Sequence, residues 1–168
     1  MPTVYLAGPI ENVTTEEASS WRDEAAKYLN ACGILVCDPN RVWVLSEEQR
    51  GNLSVAEEAD IVDIDLTAVR VVDALFVWCD RTVKMCGTYI EVGVALEHGK
   101  TMVFYCPGEP PGFVEGICEM YKWDGPVCAF ITKDLKIACD WLAGKLEYLG
   151  AHPSHETAMQ EMVAIATF

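Results

Sequence analysis

A chain of 168 residues, about half of them hydrophobic, is long enough for one domain with a real core and is not disordered by composition. Twelve basic against 26 acidic residues give a net charge of −14, which repels polyanions and argues against a nucleic acid polymer as partner, while small ligands stay open. No apolar run approaches the ~20 residues that span a bilayer, and the strand-like run Thr3-Val4-Tyr5-Leu6-Ala7 has no basic flank, which argues against a signal peptide and a membrane location.

The first predicted element is a buried strand over Val4–Ala7, ended by Gly8-Pro9. Thr14-x-x-Glu17 has the form of a capping box and opens a helix to about Ala31, with Ala18, Trp21, Ala25, Tyr28 and Leu29 on one face. Gly33 ends it, and Ile34–Cys37 is a short second strand. The Asp38-Pro39-Asn40-Arg41 segment reads as a turn that opens a long irregular stretch to Leu53. Ser54-x-x-Glu57 caps a further helix, with a possible break, to Arg70. Asp73–Trp78 is a third strand, with Asp73 as its cap, and Cys79–Gly87 is a loop. Thr88–His98 is a helix stopped by Gly99, Thr101–Tyr105 a fourth strand, and Cys106–Gly112 a loop. Val127–Ile131 is a fifth strand, Asp134–Leu149 a last helix, and the tail from about Gly150 is unassigned.

Alternating strands and helices predict a doubly wound α/β fold (flavodoxin-like or Rossmann-like). Its sheet has about five mainly parallel strands, with helices on both faces, in one domain over 1–168. Ligands in such folds bind beyond the carboxyl ends of the strands. The loops Gly8–Asn12, Asp38–Leu53, Cys79–Gly87 and Cys106–Gly112 fall there.

The eight cysteines include no C-x-x-C pair and the histidines number three, so zinc-ligand spacing is absent. Several cysteines lie in apolar strand-like runs, where Cys behaves as a small hydrophobe. The simplest reading is a reduced, cytoplasmic protein without a disulfide framework.

The most informative stretch runs from Cys86 to Lys100. Thr88-x-x-Glu91 fits a capping box, in which Glu91 folds back on the helix start. Glu91 is also a lone acid one turn into an apolar helix, pointing to the ligand-binding edge, which fits a reactive carboxylate. Tyr5-Leu6-Ala7-Gly8-Pro9-Ile10 is a strand entering a tight turn, either an ordinary strand end or a place where a ligand approaches the backbone. It has neither the G-x-G-x-x-G pattern nor a P-loop. Asp63 and Asp65 lie two apart, so on a helix at most one faces the cleft. Asp80 lies in the loop after the third strand. Trp21 reads as core and Arg22 as a partner for one of the acids.

With Tyr5-x-Ala7-Gly8-Pro9 in front, the spacing Asp65-x7-Asp73, the strand after it and Gly87-x-x-x-Glu91-x-Gly93 resemble the nucleoside 2-deoxyribosyltransferases, a group with nucleotide N-hydrolase relatives. The resemblance covers about Val4 to Tyr105. It implies Glu91 as nucleophile, Asp65 as the acid serving the nucleobase and Tyr5 as the residue orienting the nucleophile. Gly8, Pro9, Ile10, Asp80, Gly87 and Thr88 would line the substrate pocket. Ile10-Glu11 stands where phosphate-using relatives carry a basic residue, and the loop before Glu91 lacks an acid that some transferases place there. The implied substrates are a deoxynucleoside or deoxynucleotide and a free nucleobase, with no metal or organic cofactor, in a homo-oligomer. Alternatives are a 2′-deoxynucleoside 5′-monophosphate N-glycosidase and a non-catalytic nucleotide-binding module.

Overall fold

A computed structural model describes residues 1–10, 13–42, 52–121 and 127–151. The tail beyond 151, residues Glu11 and Asn12, and most of the stretch expected to be irregular before Leu53 lie outside the described residues.

Five strands, β1 (Thr3–Ala7), β2 (Leu35–Cys37), β3 (Ala74–Trp78), β4 (Thr101–Tyr105) and β5 (Ala129–Thr132), form one parallel sheet in the order β2-β1-β3-β4-β5. The helices are α1 (Thr15–Ala31), α2 (Pro39–Val42), α3 (Val55–Val71), α4 (Cys86–Glu97), α5 (Gly112–Met120) and α6 (Leu135–Ala151). This is the expected doubly wound arrangement, with its strand order reversing between β1 and β3.

Strand periodicity builds two cores. Val4 and Leu6 of β1 join Trp21, Ala25 and Leu29 of α1 and Ala138 and Leu142 of α6 on one face. Tyr5 and Ala7 point the other way, with Val69 of α3, Val92 and Ala95 of α4 and Val114 of α5. Successive strand residues alternate between faces, and the central strands are covered on both, so β1 and β3 read as continuous apolar runs. At the amino end of the sheet, Asp73 accepts hydrogen bonds from the Thr3 amide and hydroxyl at 2.7 and 2.8 Å, tying the starts of β1 and β3 together.

Both upstream capping boxes form as expected, Thr14 with Glu17 and Ser54 with Glu57. Four expectations are corrected. The Asp38 turn leads into a short helix: Pro39 suits a first helical position, and the Asp38 carboxylate accepts from the Asn40 amide at 3.0 Å. Helix α3 is unbroken. Helix α5 follows directly on a stretch read only as loop. Gly112 and Gly116 weaken its helical signal, yet Val114, Ile117 and Cys118 keep core spacing. Finally, Cys79 and Cys106, read as independent thiols, are paired sulfur to sulfur at the adjacent ends of β3 and β4, their Cα atoms 5.1 Å apart.

Candidate active site

In folds of this kind the ligand crevice lies beyond the carboxyl ends of the strands at an order reversal, which here falls between β1 and β3, and α3 and α4 pack together on one face of the sheet. Tyr5 occupies the face of β1 that meets those two helices. It is fully buried between Cys37 of β2 and Leu75 of β3, its register partners. From there its hydroxyl donates to Oε1 of Glu91 at 2.7 Å. The two residues are 86 apart in sequence, so the fold alone creates this bond.

Helix α4 explains why Glu91 is available. It begins at Cys86, two residues before the expected start, with Met85 as N-cap and no side chain capping it. Thr88 is therefore inside the first turn, buried, and Glu91 lies too deep in the helix to reach its opening amides. The capping-box alternative is overturned here: the carboxylate turns to Tyr5.

The electrostatics single Glu91 out. Burial pushes its carboxyl up to about 7; the Tyr5 hydrogen bond and the Arg22 charge oppose the rise, and the negative charge of Asp65 adds to it. Asp65, half-buried on α3, also acts on the Tyr5 hydroxyl and the Cys37 thiol, whose protons are held more tightly chiefly because of burial. Asp63 is exposed, as the two-residue spacing requires. Tyr5, Glu91 and Asp65 thus share one neighbourhood. Burial, with the Asp65 charge adding to it, makes Glu91 titrate near neutrality.

The lining candidates separate into two groups. Gly8, Pro9 and Ile10 leave the end of β1, and Gly87 opens α4 with free space around its Cα. At Gly8 the close neighbour is the protein: a Cβ there would sit 2.6 Å from Cζ2 of Trp21. Asp80 is engaged elsewhere. Its Oδ1 accepts from the Thr82 amide at 2.8 Å and from the Thr82 hydroxyl, and its other oxygen packs on Gly108. Together with the Arg81 amide bond to the Glu109 carbonyl and the Arg81–Glu109 ion pair, this fastens the loop after β3 to the loop after β4. A cleft of about 350 Å³ lined by Cys106, Pro110, Cys118, Ile131 and Thr132 belongs to that second region and includes none of the three clustered residues. Among the described residues no group of three or more His, Cys, Asp or Glu is placed to hold a metal ion, and no helix is long and apolar enough to cross a membrane.

Sequence reasoning underrated Arg22. It is fully buried on α1, and its guanidinium donates to the carbonyls of Gly8 at 2.7 Å, Ala18 at 2.5 Å and Pro9 at 3.4 Å. Its Nε lies 3.4 Å from Oδ1 of Asp38, fulfilling the expected acid pairing. The available signal was spacing: Arg22 falls four residues after Ala18 and four before Ala26, on the buried face of α1.

The profile of the family described as nucleoside 2-deoxyribosyltransferase like matches residues 1–109. No curated protein matches the chain. Among solved structures, a 2-deoxyribosyltransferase from Bacillus psychrosaccharolyticus is similar with a TM-score of 0.61 at 20% identity, over 80% of this chain and 88% of that one. The CMP N-glycosidase BcmB of Clostridium botulinum gives 0.53 at 18%, over 83% and 97%. BlsM gives 0.55 at 18%, over 84% and 86%.

Proposed function

This chain belongs to the nucleoside 2-deoxyribosyltransferase-like family, and we propose that it transfers 2-deoxyribose between nucleobases by cleaving the N-glycosidic bond. The observation that carries this reading is the Tyr5–Glu91 hydrogen bond at the strand-order reversal, with Asp65 close enough to act on both.

In the first step a Glu91 oxygen attacks the sugar C1′ from below as the bond to the base breaks. The positive charge developing at C1′ is met by the carboxylate and then quenched as an ester. The electron pair of the broken bond leaves on the base, which takes a proton; Asp65 is placed to supply it. A second base then attacks C1′, displaces Glu91 and gives up its proton to Asp65. Two inversions retain configuration. Burial that disfavours the free carboxylate favours the neutral ester, so the same apolar setting drives the first step. Tyr5 holds one Glu91 oxygen and leaves the other for C1′. No step calls for a metal or organic cofactor.

One observation supports a second reading, hydrolysis of a 2′-deoxynucleoside 5′-monophosphate. Helix α4 opens without a side-chain cap beside the uncrowded Gly87, and helix-start amides of this kind hold phosphate. Incubation with a deoxynucleoside and a second free base, followed by chromatography, separates the readings. Base exchange supports transfer, and deoxyribose phosphate released from a deoxynucleotide supports hydrolysis. Binding without either leaves a nucleotide-binding module and sinks both.

A homo-oligomer completes the proposal. Helix α3 buries only Val69 and exposes two apolar pairs at seven-residue spacing, Val55 with Val62 and Ile64 with Val71, on different sides of the helix. Apolar exposure of this extent on the helix that carries Asp65 supports packing of a second copy next to the site, and light scattering after size-exclusion chromatography tests it. Six of the eight cysteines are thiols, which suits a reducing cytoplasm; the Cys79–Cys106 pair is the exception to it.

A further inference from the structure

Arg22 is a charge at a position where a charge is costly. It is 0% exposed and flanked by Trp21, whose ring lies 4.5 Å from the guanidinium carbon. An apolar side chain of similar volume often replaces a buried ion pair with no loss of stability or with a gain. Fold stability alone is thus a weak reason for a guanidinium at this position.

The surrounding geometry supplies another. The strand-end carbonyls of Gly8 and Pro9 accept from its two terminal nitrogens, so the turn that leaves β1 toward the crevice is held from behind by one rigid fork. Trp21 closes the same turn by packing on Gly8. Among the described residues, the charged groups acting on this neighbourhood are Asp65 from α3, Glu91 from α4 and Asp38 from the end of β2, with the Tyr5 hydroxyl from β1 and the Cys37 thiol from β2. Three are carboxylates. Arg22 comes from α1, on the opposite face of the sheet from α3 and α4, and meets one of these acids directly, its Nε 3.4 Å from Oδ1 of Asp38.

We propose that Arg22 is a positioning residue for the Glu91 site: its fork fixes the Gly8–Pro9 turn at the end of the strand whose Tyr5 donates to Glu91, and its charge, shared with Asp38, acts on the carboxylate that attacks C1′. The reaction part of this assignment rests on the proposed function; the electrostatic part does not. Asp38 moderates the effect, because a guanidinium neutralised by its own carboxylate acts less strongly on a second one. Removing the positive charge raises the Glu91 titration midpoint. Removing the Asp38 charge lowers it.

The test follows the Glu91 carboxyl by carbon-13 NMR against pH in the wild-type protein, Arg22→Gln, Arg22→Lys and Asp38→Asn, with Glu91→Gln to assign the signal. The midpoint is expected to rise by about half a pH unit or more in Arg22→Gln, to fall in Asp38→Asn, and to stay near wild type in Arg22→Lys. The acid limb of kcat/KM should move with it, and Arg22→Lys should raise KM because a single ammonium cannot span both carbonyls. An unmoved midpoint in folded Arg22→Gln overturns the proposal, as does an equal shift in the Gln and Lys variants, which a purely structural role would give. Should Arg22→Gln not fold, an unmoved midpoint in Asp38→Asn overturns it. Midpoints that move as stated in a protein that turns over no deoxynucleoside or deoxynucleotide refute the proposed reaction and leave the electrostatic assignment standing.

Discussion

Three helices carry the same four-residue signature, and it does two different things. At Thr14-x-x-Glu17 and Ser54-x-x-Glu57 the glutamate folds back, accepting from the cap residue's amide at 2.8 Å in both cases. Those hydrogen bonds hold both carboxyls below their ordinary range at fully exposed helix ends. At Thr88-x-x-Glu91 the helix starts two residues early, the glutamate meets Tyr5, and burial drives its carboxyl up to about 7. The lesson is that a capping signature fixes neither the helix start nor the fate of its acid. Solvent and a facing donor decide, and they decide in opposite directions.

The largest test of that contrast is truncation of the acid. Glu91→Ala should lower turnover by on the order of 10³-fold or more while circular dichroism stays native. Glu17→Ala and Glu57→Ala should leave turnover within about twofold, because their carboxylates touch only their own helix starts. Near-normal turnover in Glu91→Ala would put it with the other two and end the nucleophile assignment.

Next in size is the donor that distinguishes the third site. Tyr5→Phe removes the hydrogen bond to Oε1 and should cost about tenfold to a hundredfold in kcat through loss of orientation. Because that bond lowers the Glu91 midpoint, its loss should also move the acid limb of the pH profile upward. A limb that stays in place would mean the hydroxyl only packs.

The pH dependence of stability sharpens the same point. The folded midpoint of Glu91 lies near 7, above the ordinary glutamate value of 4.5, so the folded state binds a proton more tightly than the unfolded chain. The stabilisation linked to that proton is complete below about pH 4.5 and is lost as pH rises through 7. Glu91→Gln, neutral throughout, should therefore come close to wild type near pH 4.5 and melt on the order of 10 °C higher at pH 8. Equal melting temperatures at both pH values would show that the carboxylate is not disfavoured by its site.

Much of this was legible in the sequence because it is local. The Val4–Ala7 run ending in Gly8-Pro9 places β1, and both exposed capping boxes need only their own four residues and water. The family resemblance singled out Tyr5, Asp65 and Glu91, and the fold brings them together. What escaped depends on distant partners. The early start of α4 runs through Gly87, a poor helix former, so the Thr88 signature attracted the boundary. Arg22 reads as a partner for one of the many acids, with neither that acid nor the burial of the pair specified. Its burial requires the missing Cβ of Gly8 and a carboxylate 16 residues later at Asp38, neither of which periodicity can see. Asp80 shows the converse: a plausible loop acid whose oxygens are taken by Thr82 and by the close approach of Gly108.

The smallest expected effect completes the comparison from the other side. Thr14→Ala and Ser54→Ala each remove one capping oxygen, which donates order to its helix start and nothing to the crevice. Each should lower stability by about 1 kcal/mol, and the double variant by about the sum, since the two caps share no partner. Turnover and its pH profile should be untouched, measured beside thermal melts of the same samples. A drop in kcat in either variant, without unfolding at the assay temperature, would couple an exposed cap to the site and erase the distinction between the two fates of the motif.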